Sequence, residues 1–244
     1  MTAYAFFGKM KKFLSGIAAA YRKKGGVFVL RSAIKTIVWY PYYKKSRASK
    51  TFLFRGDAYP YFIHYYNLTW ENERTVEVPI IWKIVGEHAG EKILEAGNVL
   101  SNYFSVHHDI VDKYEVADGV INQDVCDFQP SQKYDLIVSI STLQHVGWDE
   151  TPREPMKIPQ AIRHLETLLV PRGTLVVTLP LGYNHDLDEM LRKRKIPFTK
   201  MYCLKRTSAN NEWSEVDWQS IAHAGYDRPF RGANGLVVGV VEKK

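Results

Sequence analysis

Four short apolar runs between residues 92 and 147 each give way to an acidic or small polar residue, and that recurrence narrows the fold more than any other feature. The first run is Lys92-Ile93-Leu94-Glu95-Ala96-Gly97, and the second, Asp109-Ile110-Val111, ends in Asp112. The third, Gly119-Val120-Ile121, leads to Asp124 and Asp127; the fourth, Tyr134 to Ile140, leads to Ser141. A β-branched run such as the fourth suits a strand buried on both faces of a parallel sheet. In open α/β sheets, ligands lie beyond the carboxyl ends of the strands. The four endings therefore describe one functional edge.

This order of parts resembles the nucleotide-binding half of the class I S-adenosylmethionine-dependent methyltransferases, over residues 75–244. The resemblance implies an α/β fold: a Rossmann-like, seven-stranded, mostly parallel sheet flanked by helices, with the last strand antiparallel between the fifth and sixth. It also implies the cofactor S-adenosyl-L-methionine and a methyltransferase activity. In that family the first strand ends in acid-x-Gly-x-Gly-x-Gly, and the matching positions here are Glu95 and Gly97, with Asn98 in the same loop. Asp112 matches the acid that holds the ribose hydroxyls. Asp124, in preference to Asp127, matches the acid near the adenine. Ser141 opens the turn toward the reaction centre. Val99 and Ser101 stand where the second and third glycines usually are, so the loop approaches the methionine portion differently.

The residue types suit these tasks. A carboxylate can accept two vicinal hydroxyls through charge-assisted hydrogen bonds, and Gly97 permits a sharp turn close to a ligand. Glu95 either orients the loop or meets the cofactor's amino group. His145, in the loop after the fourth strand, is the candidate catalytic base, because histidine titrates near neutrality; the alternative is a histidine that only braces the loop. His107 and His108 read as structural, and His164 as an exposed helix residue. An acceptor oxygen methylated with base assistance makes the expected chemistry O-methylation. The aromatic, acid-rich stretch 57–74 offers Trp70, Glu73 and Arg74 to a saccharide or lipid-linked glycan, and Tyr183, after the fifth strand, faces the same way. RNA and small-molecule methyltransferases stay open, as does a binding protein that has lost catalysis.

The expected fifth, sixth and seventh strands are Thr174–Leu179, Phe198–Lys205 and Gly235–Val240. Helices are expected over Val76–Gly90, with Pro79 in the first turn, Pro155–Leu169, Asp186–Lys195 and Val216–Ala222.

Charge divides the 244-residue chain into a basic, helical N-terminal extension, residues 1–56, and a domain spanning 57–244. Residues 1–56 hold 13 Lys and Arg and no acid, so the remainder is net acidic despite an overall charge of +7. Phe6, Met10, Phe13, Leu14, Ile17 and Tyr21 form one helical face opposite Lys9, Lys11, Lys12, Arg22 and Lys23. Such a segment, over residues 1–45, suits an anionic membrane surface, nucleic acid, or packing on its own domain or a second copy in a homo-oligomer. Two cysteines give neither a disulfide framework nor a metal cluster. With no long apolar run or leader pattern, the expected location is the cytoplasm, with a peripheral position at the inner membrane surface as an option.

Overall fold

The structure, a computed structural model, describes residues 25–27 and 35–244. The expected helix over 6–21 and part of the Val27–Trp39 run lie outside the described residues. The chain forms two compact units, residues 1–47 and 48–244. In the first, a π-helical turn, Lys35–Trp39, leads into α1, Tyr40–Ser46. Pro41 sits in the opening turn of α1, where its missing N–H costs nothing.

The second unit begins with a hairpin, β1 (Thr51–Phe54) against β2 (Asp57–Pro60). Strand β1, which the charge pattern assigned to the extension, thus pairs inside this unit. Helix α2 spans Arg74–Glu87. Pro79 is its sixth residue, beyond the first turn expected for it. Proline lacks the N–H that would bond the Thr75 carbonyl, and that carbonyl instead accepts from the Phe62 N–H at 2.9 Å. The helix therefore tolerates Pro79 by tying itself to the preceding loop.

The main sheet contains β3 (Ile93–Ala96), β4 (Asp109–Val111), β5 (Val120–Ile121), β6 (Tyr134–Ile140), β7 (Leu169–Pro180), β8 (Lys200–Arg206), β9 (Trp213–Val216) and β10 (Gly235–Glu242). Its order is β5-β4-β3-β6-β7-β10-β8-β9. The strands from β5 to β7 pair in parallel, and β10 runs antiparallel between β7 and β8, as expected.

Eight strands stand where seven were expected. The extra one, β9, takes the start of the segment read as a helix around Val216–Ala222; only a short 3-10 turn, Trp218–Ser220, follows. The cause is a tight reversal. Thr207 N–H donates to the Glu212 carbonyl at 2.7 Å and Asn211 adopts φ 60°, which turns the chain back onto β8. Trp213 then buries against the core while Ser214 and Glu215 face solvent. A second difference is in β7, which begins at Leu169 and absorbs the expected Pro171-Arg172-Gly173 turn as an irregularity. The register moves from Tyr134 opposite Leu169 to Leu136 opposite Thr174.

Alternation along β6 separates two apolar layers. Ile137 joins the layer built by α3 (Lys157–Thr167) and α4 (His185–Arg192), through Ile158, Ile162, Leu165, Leu187 and Leu191. Leu136, Val138 and Ile140 join the layer built by α2 and the hairpin, through Val76, Ile80, Phe52 and Phe54. His164 on α3 is half-buried rather than exposed, since its Nε2 lies 2.7 Å from the Phe128 carbonyl. Helices on both faces leave the carboxyl ends of β3 to β6 as the open edge.

Candidate active site

A cavity of about 530 Å³ opens at that edge, within the ordinary range for small-molecule sites. Its walls include Gly97, Asp112, Tyr114, Asp124, Ser141, Thr142, His145 and Asp149. Five carboxylates (Asp112, Glu115, Asp124, Asp149, Glu150) and one ammonium (Lys113) line it, so its field favours a cationic ligand.

The loop after β3 forms one wall. Gly97 adopts φ +95°, donates its N–H to the Val111 carbonyl at 2.8 Å, and leaves no room for a Cβ, which would fall on the Thr142 side chain. Glu95 is fully buried. Its Oε1 accepts the Val99 and Leu100 N–H groups, both at 2.8 Å, and its Oε2 lies 3.0 Å from His108 Nε2. Of the two roles considered for Glu95, the geometry provides loop orientation; the carboxylate is spent on the 3-10 turn Leu100–Asn102 and does not line the cavity. His108 is its structural partner. Asn98 is buried, bonds Ser101 through Oδ1, and leaves its Nδ2 without a hydrogen-bond partner.

Asp112 lies at the end of β4 with both oxygens engaged. Oδ1 accepts the Tyr114 and Glu115 N–H groups at 2.8 Å each, and Oδ2 accepts the Asn98 N–H at 3.1 Å. A carboxylate has about four lone-pair positions, so one remains, on Oδ2. Asp112 can thus take one hydroxyl rather than the two the residue type alone permits.

Asp124 lines the cavity but is committed to an ionic ring that sequence reading missed. Lys113 and Lys157 both reach Asp124 Oδ2 at 2.9 Å, and the same two ammoniums reach Glu150 at 3.1 and 2.6 Å. Burial works against ionisation of Asp124, yet the two ammoniums and the Cys126 N–H hold it well below the usual carboxylate range. Burial and the neighbouring Asp124 push the Cys126 thiol up to about 12, so it stays protonated and is no nucleophile. The ring ties the loops after β4, β5 and β6 to the start of α3. A lysine directly after Asp112 was its single sequence trace.

The opposite wall carries His145, the candidate base. His145 ends the 3-10 turn Leu143–His145, and its Nδ1 lies 2.6 Å from Asp149 Oδ2. The Tyr183 hydroxyl donates to both Asp149 oxygens, at 2.8 and 3.1 Å, and its ring meets the His145 ring edge-on at 4.8 Å. Burial, then the Asp149 carboxylate, push Tyr183 up to about 12, keeping the donor protonated. With Nδ1–H given to Asp149, Nε2 is the acceptor. The sequence reading named His145 and Tyr183, and the structure brings them together. It passed over Asp149, whose spacing four residues after His145 was the available signal.

The remaining candidates form a separate buried cluster behind the cavity wall. Trp70 is 3% exposed and does not line the cavity, so its face is closed to an acceptor there. Arg74 Nη1 donates to Glu77 at 2.8 Å and to the Ile140 carbonyl at 3.2 Å. Glu77 also accepts the Ser141 hydroxyl, so the pair braces the end of β6, where Ser141 adopts φ 40°. Glu73 accepts the Ala233 N–H at 3.1 Å; burial and the adjacent Glu77 push its carboxyl up. Among these, Ser141 alone reaches the cavity. The acceptor residues expected at 70–74 are thus interior braces.

No protein-family model matches the chain, and no curated protein matches it. Among solved structures, it is similar to the N-methyltransferase NodS from Bradyrhizobium japonicum WM9 in complex with S-adenosyl-L-homocysteine, at 12% identity over 70% of this chain and 87% of that one, with a TM-score of 0.45. It is also similar to the sugar N-methyltransferase KedS8 from Streptoalloteichus sp. ATCC 53650, at 13% identity over 70% and 89% of the two chains, TM-score 0.37. A third, the amino pentose methyltransferase CalS10 from Micromonospora echinaspora with bound S-adenosylmethionine, shares 15% identity over 44% and 50%, TM-score 0.32. Likenesses this distant leave the functional reading to the residues of the site itself.

Proposed function

We propose that the chain is an S-adenosyl-L-methionine-dependent methyltransferase acting on a hydroxyl of a saccharide. The observation that carries this reading is the pairing, across one cavity, of a ribose-type carboxylate, Asp112, with a His145–Asp149–Tyr183 proton relay.

The residues fit the cofactor. Gly97 lets the loop turn sharply against Thr142 at the cavity edge, and Asp112 keeps one lone pair for a ribose hydroxyl. The acidic lining favours a molecule that carries sulfonium and ammonium charges. Bound there, S-adenosyl-L-methionine supplies a methyl group already activated toward an oxygen nucleophile. The protein's share is alignment and one proton. Alignment of reacting atoms can lower a barrier by up to about 7–11 kcal/mol. His145 Nε2 accepts the acceptor's hydroxyl proton while Asp149 holds the ring and balances the imidazolium charge; this adds about 10²–10⁴-fold. Tyr183 keeps Asp149 in register. Asp124 and its lysines fix the floor and need not touch the ligand.

The exposed mouth, with Tyr114 and Asp149, suits hydroxyl donors and sugar faces. A second reading, an amino-sugar acceptor methylated on nitrogen, is favoured by the same carboxylate lining. Transfer of isotope-labelled methyl from S-adenosyl-L-methionine to a panel of neutral and amino sugars tests both. Label on oxygen that is lost in His145→Ala supports the first. Label on nitrogen that His145→Ala retains supports the second, and no label on any acceptor contradicts both.

A further inference from the structure

The strongest unassigned surface lies far from any catalytic chemistry in the sequence, in the stretch that ends the first unit. Over Lys35–Ser46 the backbone forms a π-helical turn and α1, and four large apolar or aromatic side chains stand open to solvent: Ile37 (74% exposed), Val38 (56%), Trp39 (46%) and Tyr42 (58%). The Trp39 and Tyr42 rings meet edge-on at 5.9 Å, so the aromatics form one patch. Lys44 and Lys45 close the last turn beside it. No carboxylate precedes Asp57, while 13 Lys and Arg do.

We infer that this surface docks on an anionic lipid bilayer, lying in the interface with Ile37 and Val38 among the acyl chains, Trp39 and Tyr42 at the headgroup boundary and the cations on the headgroups. Charge complementarity selects that occupant. Two copies paired symmetrically through this segment would bring one acid-free cationic stretch against another, and the acidic domain of a second copy would meet the cations by charge alone. A nucleic acid would engage the cations and rings but offers nothing to the exposed aliphatic pair Ile37 and Val38. A bilayer takes all three kinds of group: aliphatics in its interior, Trp and Tyr at the interface, cations at phosphates. Among the described residues no helix is long and apolar enough to cross a membrane, which leaves an interfacial position. The inference stands independently of methyl transfer, because its readout needs no activity.

Sedimentation of the full chain with phosphatidylcholine vesicles, with and without phosphatidylglycerol, tests it. Binding is expected only to the anionic vesicles, and to fall with added salt. Lys44→Ala/Lys45→Ala should weaken it roughly thirtyfold, at about 1 kcal/mol per cation. Ile37→Glu/Trp39→Glu should abolish it while leaving the melting temperature unchanged, since both residues are exposed. Equal binding to neutral vesicles, or full binding by the Glu variant, would overturn the inference. So would displacement of the chain from vesicles by a single-stranded RNA oligonucleotide, or a dimer in solution that the Glu variant dissolves.

Discussion

The two walls of the cavity are built on opposite principles. On the β3–β5 side nearly every acid is already satisfied: Glu95 by two N–H groups and His108, Asp112 by three N–H groups, Asp124 by two lysines. On the β6 side the His145 and Asp149 side chains are 43% and 47% exposed and lean on each other and on Tyr183. On the proposed reading the first wall is the mould for the cofactor, with one lone pair left over on Asp112. On the same reading the second is the rim that meets the acceptor, and its exposure leaves room for acceptors of different shape. Preorganised polar groups lose nothing to reorganisation at the moment of reaction, so rigidity belongs where the ligand never changes.

The largest expected break of this contrast is at the rim. His145→Ala should lower kcat by about 10²–10⁴-fold while calorimetry finds cofactor affinity unchanged; a parallel loss of affinity would merge the two walls into one. At the rigid wall, Gly97→Ala forces a left-handed residue, costing about 1–2 kcal/mol, and adds the clash with Thr142. Its cofactor affinity should fall with kcat at saturation little changed. Adding Thr142→Ala should return part of that loss, and the double-mutant cycle would measure the coupling.

Lys157→Met opens the ionic ring, at about 1–2 kcal/mol of stability given its position near the mouth. The pH dependence has a definite sign. Asp124 and Glu150 are held below their unfolded values, so their contribution is complete above about pH 4 and is lost as acid protonates them. Lys113 and Lys157 are raised, so theirs is complete below about pH 10 and is lost above it. Thermal melts of Lys157→Met should therefore differ from wild type most between those limits and converge at both ends. Glu73 has the reverse sign: its raised carboxyl stabilises below about pH 4 and the benefit is lost as pH rises. Glu73→Gln should melt no lower than wild type at pH 8. The smallest effect is Tyr183→Phe, which removes one donor to Asp149 and should lower kcat less than tenfold, with the pH–rate profile displaced.

Much of the sheet was legible because strands buried on both faces write themselves as apolar runs, and β3, β4, β6 and the antiparallel β10 follow those runs within a residue or two. Strand β9 was not, since Trp213-Ser214-Glu215-Val216 becomes a strand through the Asn211 reversal and its pairing with β8, neither of which has a periodic signature. Within the site, residue type located Asp112 and His145 but not their saturation. The N–H groups that fill Asp112 belong to loops, and backbone donors have no letter in a sequence. Trp70 shows the complementary failure. An aromatic platform and an aromatic core look alike in sequence, and burial alone tells them apart.

The most direct measurement is calorimetric titration of the intact protein with S-adenosyl-L-methionine beside Asp112→Ala. Binding with a micromolar dissociation constant, lost in a variant that keeps its circular dichroism, is the predicted result. Absence of binding by the intact protein, or equal affinity in Asp112→Ala, would contradict the assignment of the rigid wall to this cofactor.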